Sequence, residues 1–268
     1  MSNFLVVNGT QQDIAQGNDK AILGFRSVLP VSTVTGANED ALYPFTNAID
    51  YRDNTKYSPS VSNGTIVIEF TQSLPTEINY FAFAIHNSQD AVLTGALEVD
   101  SGDGYEEITG FSIVKNNRPF VHYFGNLSSS RQRLTLNFTN KLYIGAINIG
   151  RAVVMRRPPS LGFQPAKTAS LDKVEQFTTE GNNFIVGRRL NRGFQAKGQF
   201  RFVSFNDDIN DWFEDYMDHV LDSKTLFFKW NESKDESVYG LQNPKSLTKP
   251  TYKTSFHSDF AFEINGYA

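Results

Sequence analysis

Two neighbouring stretches, Gly64-Thr-Ile-Val-Ile-Glu-Phe70 and Ile78-Asn-Tyr-Phe-Ala-Phe-Ala-Ile-His-Asn87, decide the fold class. Both are rich in β-branched and aromatic residues, which favour the half-buried surface of a pleated sheet. Similar runs recur roughly every 10–15 residues, separated by Asn, Gly, Ser and Pro and without helical periodicity between them. The pattern predicts an antiparallel β-sandwich with strands at 65–70, 80–85, 96–99, 120–124, 134–138 and 146–154.

The composition of the 268-residue chain agrees with a β-rich protein that buries a core. It contains 23 Phe and 11 Tyr, and 40% of its residues are hydrophobic. The net charge of −4 argues against nucleic-acid binding, and no apolar stretch is long enough to span a membrane. The absence of cysteine excludes disulfides and thiol chemistry. The amino-terminal residues show no secretory leader, so we expect synthesis in the cytoplasm.

The segment Arg156-Arg-Pro-Pro-Ser160 interrupts the strand pattern. Two prolines remove backbone donors and favour the extended geometry of a linker. We therefore predict two domains, residues 1–157 and 158–268. In the second domain, apolar residues from Ile209 to Leu221 follow one helical face, which predicts an amphipathic helix over 207–222 capped by Asn206. The second domain is otherwise predicted to form strands, at 173–178, 193–205, 225–230, 238–241 and 256–264.

Motifs of the familiar catalytic classes are absent from the sequence. The four histidines, His86, His122, His219 and His257, lack the spacing of a metal site, and the glycines form no phosphate-binding loop. Acidic residues near turns are explained more simply as turn formers than as a glycosidase pair. We therefore expect a protein that is not an enzyme, with a glycoside hydrolase as a distant alternative. His219 is expected to be solvated on the helix.

Two sets of side chains are candidates for small ligands. Tyr51, Tyr57, His86 and Tyr105 could contact a bound sugar, although each could equally be a core or turn residue.

Asp50, Asp53 and Thr55 present oxygen atoms at a spacing that could hold calcium. The alternative is an Asx-type turn, in which Asp50 and Asn54 bond the local backbone. No other metal or cofactor is indicated.

The segment Asn47-Ala-Ile-Asp50-Tyr-Arg-Asp53-Asn-Thr55-Lys-Tyr57-Ser-Pro-Ser60, the two opening strands and Val99-Asp-Ser-Gly-Asp-Gly-Tyr105 resemble the discoidin, or galactose-binding-like, family. The resemblance covers residues 40–155 and implies an eight-stranded jelly roll. It also implies a structural calcium near Asp53 and Thr55, although Ile147-Asn-Ile-Gly-Arg151 lacks the glutamate that relatives carry near their last strand. By the same resemblance, a carbohydrate-binding module for host-surface adhesion is one functional hypothesis.

Charge is distributed unevenly in the second half of the chain. Residues 151–203 hold ten basic and three acidic residues, whereas residues 204–268 hold six and twelve. The two segments could face each other within one domain, or they could face different copies of the chain in a homo-oligomer. The second alternative predicts an interface between two sets of side chains: Arg188, Arg189, Arg192 and Arg201 on one copy, and Asp211, Glu214, Asp215 and Asp218 on its neighbour.

A second resemblance supports the homo-oligomer. The order of Ile144-Gly-Ala-Ile-Asn-Ile-Gly-Arg151, Met155-Arg-Arg-Pro158, Gly187-Arg-Arg189, the helix and Leu226-Phe-Phe-Lys-Trp230 is similar to that in tail-tube and distal-tail proteins of tailed bacteriophages. The similarity implies a structural, minor or distal tail protein that forms a ring with copies of itself and contacts other tail proteins. It places the chain in a virion assembled in the host cytoplasm. This is the leading functional prediction, and carbohydrate binding is the alternative.

Overall fold

The structure, a computed structural model, describes residues 20–52, 54–100, 102, 104–113, 116–155, 158–159, 163, 173–178, 184–191, 194–204, 212–246, 251–254 and 257–267. At 173–178, 184–191, 194, 201–204, 251–254, 257–258 and 267 it describes the backbone only. The strands are β1 (Ala21–Gly24), β2 (Thr33–Thr35), β3 (Gly64–His86), β4 (Thr94–Asp100), β5 (Tyr105–Glu107), β6 (Phe120–Phe138), β7 (Ile144–Gly150), β8 (Val153–Met155), β9 (Lys173–Thr178), β10 (Phe184–Asn191), β11 (Phe194–Ser204), β12 (Leu226–Lys229), β13 (Ser237–Gln242), β14 (Thr251–Thr254) and β15 (His257–Tyr267). The helices are α1 (Phe213–Leu221) and two 3₁₀ helices, Leu29–Val31 and Phe45–Ala48.

Strands β3 and β6 build the β-sandwich, because each of them runs through both of its sheets. In the front sheet, residues 64–71 of β3 pair with 131–138 of β6, and β2, β4 and β5 extend the sheet to either side. Register shifts lead into the back sheet, where the last part of β3 pairs with the beginning of β6 and with β7. Both sheets contribute to one core, which contains Ile66 and Leu134 from the front sheet and Phe83 from the back sheet. The predicted mainly β, sandwich-containing fold is confirmed.

The back sheet is buried on both of its faces. Phe81 and Phe83 belong to the sandwich core. The alternating residues Tyr80, Ala82 and Ala84 face the other way and pack in a separate apolar cluster with the seven-stranded sheet outside the sandwich, which we call the second sheet. A strand that lies between two layers needs apolar residues at every position. For this reason the stretch 80–85 shows no alternation of polar and apolar residues.

The second sheet has the strand order β11-β15-β13-β12-β1-β8, with β14 paired to β15. Ile22 of β1 pairs with Lys229 of β12 and with Val154 of β8, so early parts of the chain join a sheet formed mostly after residue 194. Phe227 and Tyr239 contact the back sheet of the sandwich. The domain boundary after residue 157 stays a prediction, while β1 and β8, which precede it, lie in this second sheet.

Helix α1 packs on the second sheet through Tyr216 and Val220, and Trp212 precedes it in the same apolar cluster. The described helix has Trp212 as its N-cap and Asp222 as its C-cap. Residues 205–211, including the predicted cap Asn206 and the predicted helical residues 207–211, lie outside the described residues.

Two helix side chains differ from prediction. Leu221, expected in the apolar stripe, is 65% exposed because it is the last helical residue. His219, expected in solvent, is buried, and its Nε2–H donates to the carbonyl oxygen of Thr225 at 2.8 Å. Burial lowers the pKa of His219.

Strands β9 and β10 form an antiparallel hairpin in which Arg188 pairs with Glu175. Neither strand pairs with another strand of the described chain. Among the described helices, none has the length and apolar character needed to cross a bilayer.

Candidate functional site

The structure places two of the predicted ligand-contact residues, Tyr57 and His86, in the core, which was the alternative to a ligand contact. Tyr57 is fully buried, and its hydroxyl donates to the carbonyl of Ala37. His86 is 7% exposed, its Nε2–H donates to the carbonyl of Arg118 at 2.6 Å, and the N–H of Ser88 donates to its Nδ1 at 3.3 Å. Burial lowers the pKa of His86 to about 4. Neither side chain is available to a sugar.

Tyr51 connects the sandwich to the layer that contains the helix. Its ring meets that of His219 edge-on at 5.3 Å, and its carbonyl accepts a hydrogen bond from the hydroxyl of Thr225 at 3.1 Å. Burial raises the pKa of Tyr51. These contacts give Tyr51 a structural role between layers.

Tyr105 lies on the outer face of the front sheet, half-buried beneath two arginines. The guanidinium carbons of Arg133 and Arg131 lie 4.2 and 5.2 Å from its ring centroid. Arg133 in turn donates two hydrogen bonds to Glu98, which lowers the pKa of that carboxyl. Because the arginines cover it, the ring of Tyr105 is better explained by packing within the sheet face than by stacking on a ligand.

The candidate calcium ligands Asp50 and Thr55 are adjacent in the structure. The hydroxyl of Thr55 donates to the Asp50 carboxylate at 3.0 Å, and the N–H of Arg52 donates to Oδ1 at 2.9 Å. This is the Asx-type turn that was the alternative to a metal site. Asp53 lies outside the described residues. Within the described chain, no three His, Cys, Asp or Glu side chains come together as metal ligands do.

The predicted interface residues are only partly described. Arg192 and Asp211 lie outside the described residues, and Arg188, Arg189 and Arg201 are described by their backbone. Glu214 and Asp218 are exposed on α1.

Asp215 forms an ion pair within the chain, because Nη2 of Arg26 lies 2.6 Å from its Oδ2. An intrachain pair leaves Asp215 less free to meet a neighbouring copy, and the interface stays a prediction.

One exposed aromatic cluster lies elsewhere, at the end of the sandwich where the β2–β3 and β6–β7 loops meet. Among the aromatic residues whose side chains the structure describes, Tyr43 is the most exposed, at 38%, and its ring meets that of Tyr143 edge-on at 5.9 Å. Beside them lie Leu42, which is 80% exposed, and an ion pair between Lys141 and Asp40. We call these five residues the tyrosine end.

Hydrogen bonds to the backbone hold the tyrosine end in place. The N–H of Tyr43 donates to the carbonyl of Asp40 at 2.8 Å, and the N–H of Leu42 donates to the Asp40 carboxylate at 3.1 Å. The N–H of Tyr143 donates to the side-chain oxygen of Asn87 at 2.7 Å, and the Asn87 amide donates to the carbonyl of Lys141. Both tyrosines are therefore carried by constrained loops, as preformed binding sites require.

Charge at the tyrosine end is internally compensated. The ammonium of Lys141 donates to the carbonyl of Pro59 at 2.7 Å and lies 3.4 Å from the Asp40 carboxylate. The backbone hydrogen bond from Leu42, aided by Lys141, lowers the pKa of Asp40. The surface thus combines an exposed ring with polar groups and no unpaired charge among the five residues.

The sequence signal for this cluster is the apolar triplet Leu42-Tyr43-Pro44 inside a polar loop. An apolar side chain in a loop either anchors the loop to the core or remains in solvent. The sequence does not distinguish the two cases: Leu42 and Tyr43 are exposed in the structure, whereas the neighbouring Phe45 is buried.

Comparison with known proteins gives structural similarity alone. No protein-family model matches the chain, and no curated protein matches it. Solved structures that match include a pectin-binding carbohydrate-binding module (12% identity, TM-score 0.38), covering 47% of this chain and 93% of that one. Chitosan-binding module 1 of a Paenibacillus sp. IK-5 chitosanase/glucanase matches at 12% identity with a TM-score of 0.38, and the match covers 47% of this chain and 99% of the module.

Module CBM32-1 of a Clostridium perfringens family 31 glycoside hydrolase matches at 9% identity with a TM-score of 0.39, covering 47% of this chain and 99% of the module. Each likeness extends over less than half of this chain and assigns no ligand. The bacteriophage-tail interpretation rests on the sequence resemblance.

Proposed function

We propose that this chain is a non-enzymatic carbohydrate-binding protein that holds its ligand at the tyrosine end. The observation that carries the proposal is Tyr43, the most exposed aromatic side chain of the described residues, fixed against Tyr143 at a loop tip. An aromatic face can stack on the C–H face of a pyranose, and adjacent polar groups then orient the hydroxyls. The sequence-based carbohydrate-binding hypothesis named other residues, among them Tyr51, Tyr57 and Tyr105.

The polar groups around Tyr43 suit a ligand that is polar and uncharged. Lys141 is already bonded to Pro59 and Asp40, so it offers a fixed donor array and not a free charge. The ion pair of Lys141 with Asp40 places ionised groups beside the ring without adding net charge, and hydrogen bonds from sugar hydroxyls to ionised groups are stronger than those to neutral groups.

The proposal that the chain is not an enzyme is supported by two of its buried histidines, His86 and His219. Nε2 of His86 and Nε2 of His219 each donate to a backbone carbonyl. A general base needs a free ring nitrogen within reach of substrate. Burial also lowers the pKa of both rings.

Tyr43→Ala is expected to weaken binding on a glycan array about 5- to 150-fold, taking the cost of about 1–3 kcal/mol that removal of an aromatic ring has where the ring stacks on a nucleobase. Tyr105→Ala is the matched control and should leave binding unchanged, because Tyr105 stacks under Arg131 and Arg133. Loss of binding with Tyr105→Ala but not with Tyr43→Ala would move the site to the front sheet. A folded wild-type chain that binds no glycan would refute the proposal.

A second candidate function is the homo-oligomeric structural role, as in a bacteriophage tail. It is supported by the β9–β10 hairpin, which carries Arg188 and Arg189 and pairs with no other described strand. Exposed Glu214 and Asp218 on α1 supply charge of the opposite sign. An interface of this type would give each copy two unlike, complementary surfaces.

Replacing both Arg188 and Arg189 by Glu is expected to convert an oligomer of this kind to monomers at physiological salt, because like charges would then meet. Sedimentation analysis measures the change. Lys234→Glu, in the exposed β12–β13 turn, is the control and should leave the assembly intact. A monomeric wild-type chain would exclude the ring, as would an oligomer that survives the double reversal.

A further inference from the structure

The dipeptide Asn63-Gly64 lies exposed where the loop after Ser60 enters β3. Gly64 has φ +123°, in the region that disfavours side chains, and a Cβ placed on it would meet no atom within 4 Å. Asn63 is exposed, as are its neighbours Ser62 and Thr65. Gly64 is the first residue of β3 and pairs with Phe138 of β6 along one edge of the strand only, so fraying of this terminal pair frees the junction without disturbing the core.

An asparagine followed by glycine can modify itself. The missing Cβ lets the backbone nitrogen of the glycine approach the side-chain carbonyl carbon of the asparagine. A bond forms between these two atoms, the bond from that carbon to the amide nitrogen breaks, and ammonia leaves. Water then adds to one of the two carbonyls of the resulting succinimide and opens the ring to aspartate or isoaspartate. The reaction consumes one water, releases one ammonia and needs no oxidant or reductant.

We infer that Asn63 is a self-modification site, at which the folded chain converts asparagine to aspartate and isoaspartate. The inference is independent of the proposed carbohydrate binding. Each conversion adds a negative charge at the start of β3, and isoaspartate also lengthens the main chain there. The residue after Gly64 is Thr65, whose hydroxyl donates to the side-chain oxygen of Asn137 in β6. The change therefore falls at the end of the β3–β6 pair.

The chain contains an internal control in Asn265-Gly266. This dipeptide lies within β15, where Gly266 pairs with Phe194 of β11 on one side and Gly240 of β13 on the other. The side-chain oxygen of Asn265 accepts a hydrogen bond from Gln195 at 3.2 Å, and a Cβ on Gly266 would lie 2.0 Å from the carbonyl oxygen of Tyr239. Cyclisation there requires opening of a strand paired on both edges. The third such dipeptide, Asn8-Gly9, lies outside the described residues.

The test is peptide mapping by mass spectrometry of the full-length chain after incubation at mildly alkaline pH. We expect the Asn63 peptide to accumulate aspartate and isoaspartate forms, and the Asn265 peptide to react roughly 100-fold more slowly because opening of a central strand is rare. In urea both dipeptides should react at similar rates, which shows that the fold makes the difference. Asn63→Gln should abolish the exposed reaction without altering the unfolding midpoint.

Two outcomes would overturn the inference. One is an Asn63 peptide that stays intact in the folded chain over the time in which the urea-unfolded chain reacts. The other is equal modification of Asn63 and Asn265 under folding conditions.

Discussion

Ala82→Asp is expected to prevent the chain from folding to its native state, or to lower its unfolding midpoint drastically. Ala82 is fully buried in the cluster between the back sheet and the second sheet, with Ile22, Phe227 and Tyr239. An unpaired carboxylate in such a place costs about 3–5 kcal/mol or more. The total stability of a natural protein is only about 5–15 kcal/mol.

The matched control for this change is Ala96→Asp. Ala96 also lies in a strand of the sandwich, but on the half-exposed outer face of the front sheet. Substitution there is expected to cost no more than about 0.5–1 kcal/mol. Urea unfolding, followed by circular dichroism and tryptophan fluorescence, compares the two. Equal midpoints would show that the outer face of the back sheet is not covered by the second sheet in solution.

Local sequence pattern was sufficient for most strands of the sandwich. Ile66, Ile68 and Phe70 occupy alternate positions of an apolar, β-branched run, and the structure places all three in the core, while Val67 between them is 40% exposed. The stretches predicted at 65–70 and 80–85 turn out to be two parts of one strand, β3. Their joining depends on pairing with β6, whose partner residues lie far along the chain, from Gly64 with Phe138 to Phe83 with Phe120, and such pairing leaves no local signal.

The layer arrangement was not predictable in the same way. Pairing of Ile22 with Lys229 joins residues that are far apart in sequence, and a four-residue apolar run gives no indication of its partner. The apolar run 80–85 is equally consistent with a core strand of a two-layer sandwich. Only the side chains of Phe227 and Tyr239, packed on its second face, show that three sheets are stacked.

The sequence did not show which loop tyrosine is exposed, because burial depends on how the loop folds. Tyr57 and Tyr43 both lie in the β2–β3 loop and have the same side chain, yet one is fully buried and the other is the most exposed of the aromatic side chains that the structure describes. The difference arises because the Tyr57 hydroxyl finds the Ala37 carbonyl inside the loop, whereas Tyr43 follows a turn closed at Asp40. Sequence gives residue type and spacing, but not which face of a loop turns inward.

Acidification from pH 6.5 to 4 is expected to lower the stability of the chain, with His86 as a principal cause. Burial lowers the pKa of His86 from its usual 6.5 to about 4, so between these values the unfolded chain binds a proton that the folded chain does not. The stabilisation is fully present above pH 6.5 and is lost as the pH falls towards 4. A difference of this size corresponds to about 3 kcal/mol.

His86→Gln separates this effect from other titrations. Glutamine keeps a donor for the Arg118 carbonyl but cannot gain a proton, so thermal unfolding of the variant should depend less steeply on pH between 6.5 and 4. His122 and His219 retain part of the slope, since burial also lowers the pKa of both. The pKa values of Asp40 and Glu98 are lowered from their usual 3.8 and 4.5, so the stabilisation that these carboxylates provide is lost mainly at the acidic end of this interval and below it. A variant with the wild-type slope over this interval would mean that His86 is protonated in the folded chain, and therefore that its ring is not enclosed between Phe83 and the Arg118 carbonyl.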